Sequence, residues 1–212
     1  MKADNPTVSS VGPSETEFDV IALASSAGGL EALKTLFSAL PGDFPAALLV
    51  VQHLDPDHAS LLAEILGRHT DLRVKQAEEG DVIGRSAVYV APPDNHLLVN
   101  TEGTLSLSHS ELVHFVRPSA DLLFESVAAS YGARAIAVVL TGTGHDGDMG
   151  VQAIADQGGV VIVQDPETAR FRGMPDTALK TGCVDFVRPL EEIPELLSAL
   201  VRGTEVVKGR VI

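Results

Sequence analysis

Three apolar runs of strand length constrain the fold of this chain more than any other feature. They span residues 18–23, 46–52 and 135–141 and read FDVIAL, AALLVVQ and AIAVVLT. Such nearly continuous runs are typical of strands that are covered on both faces in a parallel sheet. Aromatic residues make up only 4% of the chain, so the packing must come from Val, Ile, Leu and Ala.

Helical periodicity follows these runs. After the first run, Leu30, Leu33 and Phe37 recur at helical spacing. Residues 86–108, which contain the turn sequence NTEG, predict a short antiparallel hairpin. Similar patterns predict helices over residues 61–66, 121–131, 149–157 and 190–201, and strands over 160–164 and 184–187. This order of elements predicts an α/β fold with a mostly parallel sheet and one small hairpin.

The chain divides into a short leader, one domain and a tail. Residues 1–17 are polar, with Pro, Ser and Glu, and predict a disordered leader or linker. Residues 18–202 carry the alternating pattern and are enough for one large domain. Residues 203–212 are expected to be a tail.

The net charge of −14 restricts the partners of the chain. An acidic surface repels phosphate backbones and anionic lipid, so we expect neither a nucleic acid nor a membrane surface as a partner. No apolar run approaches the roughly 18 residues that span a bilayer. The start of the chain lacks the apolar core of a signal peptide, and we expect a cytoplasmic protein.

Polar side chains follow the three strongest strand predictions at the point where each strand ends. These are Ser25 and Ser26, then His53, then Asp146. The carboxyl ends of parallel strands share one edge of a sheet, where ligands and reactive groups gather. A hydroxyl, an imidazole and a carboxylate form the set needed for a nucleophile, its general base and the group that orients the base. The sequence therefore predicts a hydrolytic site at this edge.

Other interpretations use the same residues. A serine before a helix can be an N-cap, and an Asp in a Gly-rich loop can form an Asx turn. His53, Asp55, His58 and Asp146 form a cluster that could hold Zn²⁺ in a metal-dependent hydrolase. The Gly-rich turns could cradle an anion, although neither contains a Lys, an Arg or a Walker motif. A non-catalytic interaction module on the same fold is a further alternative.

Several longer motifs, taken in order, resemble the catalytic domain of the chemotaxis methylesterase CheB. The resemblance covers residues 18–201. It implies a doubly wound α/β domain, with helices on both faces of the sheet, and a serine hydrolase without metal or organic cofactor. The implied substrates are γ-glutamyl methyl esters on methyl-accepting chemotaxis receptors, and glutamine deamidation often accompanies this activity. The motifs are LASSAGG, VVQHLDPDH, YVAPPDNHLLV, RPSADLLFESVA, VVLTGTGHDGDMG, VQDPETARFRGMPDTAL and GCVDFV.

The resemblance also implies roles for single residues. Ser26 matches the family nucleophile, His53 the base and Asp146 the orienting carboxylate. Thr143 matches the backbone oxyanion donor, and Ala27 is the second backbone position of the oxyanion site. The family more commonly has a threonine where this chain has Ala27, so a hydroxyl near the oxyanion site is missing here.

The implied substrate is a side chain on a receptor helix, so we expect an open groove. Arg117, Arg172 and Met174 are expected to border it. Typical members of the family also carry an N-terminal phospho-receiver domain that blocks the site. Only residues 1–17 precede the first predicted strand, so we expect this chain to lack that regulatory domain.

Overall fold

The computed structural model describes residues 18–53, 60–204, 206 and 209–210. The predicted leader, residues 1–17, lies outside the described residues. So do Asp55 and His58, two members of the predicted Zn²⁺ cluster.

Strands and helices alternate along the described part of the chain. The strands are β1 (Val20–Ser25), β2 (Ala47–Gln52), β3 (Arg73–Gln76), β4 (Ala87–Val90), β5 (His96–Val99), β6 (Leu105–Ser108), β7 (Ala135–Val139), β8 (Val160–Gln164), β9 (Phe186–Arg188) and β10 (Gly209–Arg210). The α-helices are α1 (Gly29–Ser38), α2 (Leu62–Gly67), α3 (Ala120–Tyr131), α4 (Asp148–Asp156), α5 (Gly173–Lys180) and α6 (Ile193–Val201). Each described helix is too short or too polar to cross a lipid bilayer.

Eight of the strands form one parallel sheet, in the order β10-β9-β8-β7-β1-β2-β4-β3. The other two, β5 and β6, pair as a separate antiparallel hairpin. The predicted combination of a mostly parallel sheet with one small hairpin is confirmed. Gly209–Arg210, in the predicted tail, add a two-residue strand at the edge of the sheet.

Helices cover both faces of the sheet. Alternate residues of β1 belong to different hydrophobic clusters, because successive side chains of a strand point to opposite faces. Ala22 packs in one cluster with Val127 of α3, and Ile21 packs in the other with Phe37 of α1. The doubly wound arrangement implied by the family resemblance is therefore confirmed.

The direction of winding reverses at β1. The chain passes from β1 to β2 on one side and returns later to β7 on the other side. The carboxyl ends of β7, β1 and β2 are consequently adjacent, and in open α/β sheets ligands bind at such a switch point. This topology brings positions 26, 53 and 142–146 to one edge.

The sequence patterns do not predict β3 or α5. The strand β3 reads RVKQ and lies at the sheet edge with partly exposed side chains, so it lacks an apolar run. The helix α5 reads GMPDTALK, and its Gly173 and Pro175 interrupt the helical pattern. The strand β4 was expected within the hairpin region but instead pairs with β2 and β3 in the main sheet.

Candidate active site

The turn between β1 and α1 gives its two serines different environments. Ser25 is fully buried, and its hydroxyl donates to Oε1 of Gln52 over 2.7 Å. The amide of Gln52 in turn donates to the carbonyl oxygens of Ser26, at 2.8 Å, and His53, at 3.0 Å. Ser25 and Gln52 thus brace the turn from inside, whereas Ser26 lines the cavity described below.

Close packing explains the glycine pair in this turn. Gly28 has a φ of +78°, in the left-handed region that favours glycine. A Cβ on Gly29 would lie 1.9 Å from Oε1 of Gln52 and 2.6 Å from Oγ of Ser25. Any side chain at position 29 would therefore displace the Ser25–Gln52 pair.

His53 and Asp146 form a buried pair. Nε2 of His53 lies 2.8 Å from Oδ2 of Asp146, and the two side chains are only 14% and 3% exposed. A carboxylate at Nε2 holds the hydrogen on that nitrogen and fixes the orientation of the ring. Nδ1 is then the nitrogen that carries the lone pair and can accept a proton.

The carboxylate of Asp146 also accepts hydrogen bonds at the N-terminus of α3. Donors are Oγ of Ser119 at 2.7 Å and the backbone N–H groups of Ala120 at 2.6 Å and Asp121 at 3.3 Å. Burial alone raises the pKa of Asp146, but the hydrogen bonds from His53, Ala120 and Ser119 outweigh it and hold the pKa below 3.8. Asp146 is therefore ionised at neutral pH and stabilises positive charge on His53.

The loop after β7 is locked against the serine turn. Oγ of Thr141 donates to the carbonyl oxygen of Ala27 over 3.1 Å, and its backbone N–H donates to Oε1 of Gln164 over 2.9 Å. A Cβ on Gly142 would lie 2.2 Å from Sδ of Met174 and 3.0 Å from Cβ of Ser26. The loop can pass beneath the serine only because Gly142 has no side chain.

A cavity of about 280 Å³ opens at this edge of the sheet. Its described lining contains the hydroxyl of Ser26, the His53–Asp146 pair and the glycine-rich loop. The lining residues are Ser26, His53, His114, Val116, Thr143, Gly144, His145 and Asp146.

None of the three predicted groove residues is among the described residues that line this cavity. Met174 is 1% exposed and packs in the core behind Gly142. Arg117 is held by the carboxylate of Asp94. Arg172, just before α5, is exposed and pairs with Asp176 in the first turn of that helix. Arg172 also pairs through its backbone with Gly142, next to the lining residue Thr143. A substrate groove bordered by these three residues stays a prediction.

The sequence patterns do not identify two residues of the site, Ser119 and His114. Ser119 precedes a predicted helix, and a serine at that position is typical of an N-cap. Its hydroxyl instead donates to the carboxylate of Asp146. The same carboxylate accepts from the first backbone N–H group of α3. His114 lies in a segment with no periodic pattern, and only the tertiary fold brings it to the cavity.

Of the predicted Zn²⁺ cluster, the described residues include His53 and Asp146, which pair with each other. Asp146 is occupied by His53 and by the N-terminus of α3, and Asp55 and His58 lie outside the described residues. A different group, His114, His145 and Asp148, brings potential metal ligands together. Burial, reinforced by the nearby carboxylates, raises the pKa of Asp121 beside this group to about 6.

A family model described as CheB methylesterase matches residues 21–197. The chain belongs to the CheB methylesterase family. The catalytic domain of Thermotoga maritima CheB methylesterase has the same fold, with a TM-score of 0.83 and 37% identity. That match covers 87% of this chain and 99% of the Thermotoga chain.

Curated relatives agree with this membership. The protein-glutamate methylesterase/protein-glutamine glutaminase of Pyrococcus horikoshii is 39% identical over 202 residues, which are 94% of this chain and 54% of that protein. A putative protein of the same name from Leptospira interrogans is 40% identical over 183 residues, 86% of this chain and 95% of that protein. The chain thus spans about half the length of the Pyrococcus relative and nearly all of the Leptospira one.

Proposed function

We propose that this chain is a protein-glutamate methylesterase in which Ser26 is the nucleophile, His53 the general base and Asp146 the carboxylate that orients His53. The observation that carries the proposal is the shared cavity: Ser26 lines the same space as the buried His53–Asp146 pair. Membership of the CheB methylesterase family supports the reaction class.

The chemistry is a two-step acyl transfer. Nδ1 of His53 takes the proton of Ser26 as the hydroxyl oxygen attacks the ester carbonyl, and Asp146 stabilises the imidazolium that forms. As the tetrahedral intermediate collapses, the imidazolium of His53 gives this proton to the departing methoxide, which leaves as methanol. Water, activated by His53, attacks the acyl-enzyme and releases the glutamate carboxylate and Ser26.

The oxyanion of each tetrahedral intermediate is met by backbone N–H groups. Thr143 lines the cavity next to Ser26, and Ala27 follows Ser26 at the N-terminal end of α1. The N-terminus of this ten-residue helix carries partial positive charge. In a well-studied hydrolase, loss of one oxyanion donor costs about 2.7–4 kcal/mol of transition-state stabilisation.

The proposed substrate is a γ-glutamyl methyl ester on a methyl-accepting sensory receptor. The same steps with a γ-carboxamide release ammonia and convert glutamine into glutamate, in keeping with the names of the curated relatives. Action in the cytoplasm, without a nucleic acid partner, is part of this proposal.

A comparison of the variants Ser26→Ala and Ser25→Ala tests the proposal, because only Ser26 is the proposed nucleophile. We expect Ser26→Ala to lower hydrolysis of a methylated receptor peptide by at least about a thousandfold and to abolish labelling by a serine-directed phosphonate. Ser25→Ala removes only the buried bond to Gln52, so it should lose about 1–3 kcal/mol of stability and keep its labelling and activity.

Other outcomes separate the alternatives. If the parent protein does not turn over the methylated peptide, an interaction module is the better interpretation. Activity lost on chelation with EDTA and restored by Zn²⁺ would favour the metal-dependent hydrolase. If Ser25→Ala is inactive and Ser26→Ala is active, the nucleophile is assigned wrongly.

A further inference from the structure

A second group of polar side chains lines the cavity wall and takes no part in the proposed hydrolysis. His114 lies before α3, His145 lies in the loop after β7, and Asp148 is the first residue of α4. One potential ligand atom from each lies within 4.8 Å of the other two. We propose that these three residues bind a transition-metal dication of the Zn²⁺ class.

The donor set fits such an ion. Two imidazole nitrogens and one carboxylate oxygen are ligands that Zn²⁺ takes in sites that keep a fourth position open. The rings of His114 and His145 meet edge to face, with centroids 4.3 Å apart. Within the described part of the chain, the side chains of His145 and Asp148 make no hydrogen bond, so their donor atoms are free to bind a ligand.

A buried carboxylate oxygen of Asp121 that lacks a hydrogen-bond partner among the described residues is a separate indication of a ligand. Its side chain is 3% exposed, and its Oδ2 lies 3.1 Å from Nε2 of His114. These two atoms are not aligned for a hydrogen bond, and both are buried without a hydrogen-bond partner among the described residues. Oδ1 is held by the backbone N–H of Gly150 at 2.8 Å, so Oδ2 is directed at the imidazole.

A bound ion would explain this unpartnered oxygen. A histidine that ligates a metal through one nitrogen usually donates the N–H of its other nitrogen to a carboxylate. With the ion at Nδ1 of His114, the hydrogen sits on Nε2 and faces Asp121. A rotation of the His114 ring on binding the ion would align this N–H with Oδ2 of Asp121, as Nε2 of His53 is aligned with Oδ2 of Asp146.

Closing the site requires only small movements. Zn²⁺ ligands lie about 2.0–2.2 Å from the ion, so two of them are at most about 4.4 Å apart, against the present limit of 4.8 Å. His145 is exposed and lies between Gly144 and Gly147, which have φ values of +88° and +104°. The side chain of His145 can therefore turn towards the ion without disturbing the core.

An ion at this site would reduce access to Ser26. His114 and His145 line the same cavity as Ser26 and His53, so a bound dication occupies part of the space that the substrate needs. It also places positive charge near His53, which must become positive during hydrolysis. Inhibition by the ion rests on the proposed function, whereas binding of the ion does not.

Calorimetric titration of the intact chain with Zn²⁺ tests the site. We expect one ion to bind at this site, with at least about tenfold weaker affinity in His145→Ala and in Asp148→Asn. Asp121→Asn should weaken binding by about 10–100-fold, because it removes the carboxylate behind His114. Binding of Co²⁺ should give the ligand-field spectrum of a tetrahedral site, and the spectrum should be lost in His145→Ala.

Two controls separate this inference from the proposed function. Ser26→Ala should bind Zn²⁺ with the parent affinity, whether or not the chain hydrolyses esters. His69→Ala removes an exposed histidine that bonds only the carbonyl oxygen of Ile65 among the described residues, and it should change nothing. No binding by the parent, or equal affinity in the parent, His145→Ala and Asp148→Asn, would overturn the site.

Discussion

At the residue scale, Gly29 determines whether the serine turn can keep its shape. Its backbone lies against the Ser25–Gln52 pair, and Gln52 also holds the carbonyl oxygens of Ser26 and His53, the proposed nucleophile and base. Elsewhere near a helix end, alanine would be the better helix former. Here a methyl group would collide with Oε1 of Gln52.

Gly29→Ala should therefore destabilise the protein by about 1–3 kcal/mol, the usual cost of overpacking, and lower esterase activity. Urea unfolding and hydrolysis of a methylated peptide measure the two effects. Gly67→Ala is the matched control, since its Cβ would lie 3.7 Å from Cβ of Val74 and should fit. A Gly29→Ala protein as stable and active as the parent would show that the Gln52 brace is dispensable.

At the element scale, α3 links the hairpin side of the molecule to the proposed triad. Its first N–H groups and the hydroxyl of Ser119 all converge on Asp146. Negative charge is favourable at a helix N-terminus, so the helix and the triad stabilise the same carboxylate. Ser119 is accordingly a positioning residue that acts through Asp146.

Ser119→Ala should lower kcat by about tenfold, because a hydrogen bond to a charged group contributes about 1.5–3 kcal/mol, and should leave KM unchanged. Ser119→Thr should restore much of the rate, since it restores the hydroxyl. Ser130→Ala removes a hydroxyl later in the same helix, bonded to the carbonyl oxygen of Val99, and should retain the parent kcat. A rise in KM alone would contradict a positioning role.

At the scale of the whole molecule, the sequence predicts the central strands of the sheet better than its edge strands. The buried strands β1, β2 and β7 are long apolar runs, and their order and carboxyl ends already indicate where Ser26, His53 and Asp146 lie. The edge strand β3 and the helix α5 are set by tertiary contacts, because their own residues are polar or interrupted by Gly and Pro. Arg117 could not be placed from sequence, since its carboxylate partner Asp94 is 23 residues away along the chain. The partner of Arg172, Asp176, is only four residues away and could have been found as an i,i+4 pair.

The role of His96 also could not be predicted from the sequence. This buried histidine links the hairpin to α3. Its Nε2 donates to the carbonyl oxygen of Glu111 over 3.0 Å, and its Nδ1 accepts from the backbone N–H of Ser119 over 3.1 Å. The bond at Nδ1 requires the neutral ring, because a protonated Nδ1 cannot accept a hydrogen bond. Burial, helped by the charge of Arg117, lowers the pKa of His96 below 6.5.

This lowered pKa gives His96 a contribution to stability whose pH dependence has a definite direction, opposite to that of Asp121, whose pKa is raised to about 6. Below pH 6.5 the unfolded chain binds a proton at His96 that the folded chain does not, so the contribution of His96 to the free energy of unfolding falls as the pH falls towards the folded pKa. One such group contributes at most about 1.4 kcal/mol per pH unit.

His96→Asn removes the titrating ring, so it should flatten this dependence between pH 7 and pH 5 in urea unfolding. Asn still offers an acceptor for the N–H of Ser119, although the variant is less stable than the parent at pH 7. His69→Ala, which removes an exposed histidine, should keep the parent slope. Equal slopes in the parent and His96→Asn would mean that His96 does not carry the acid sensitivity.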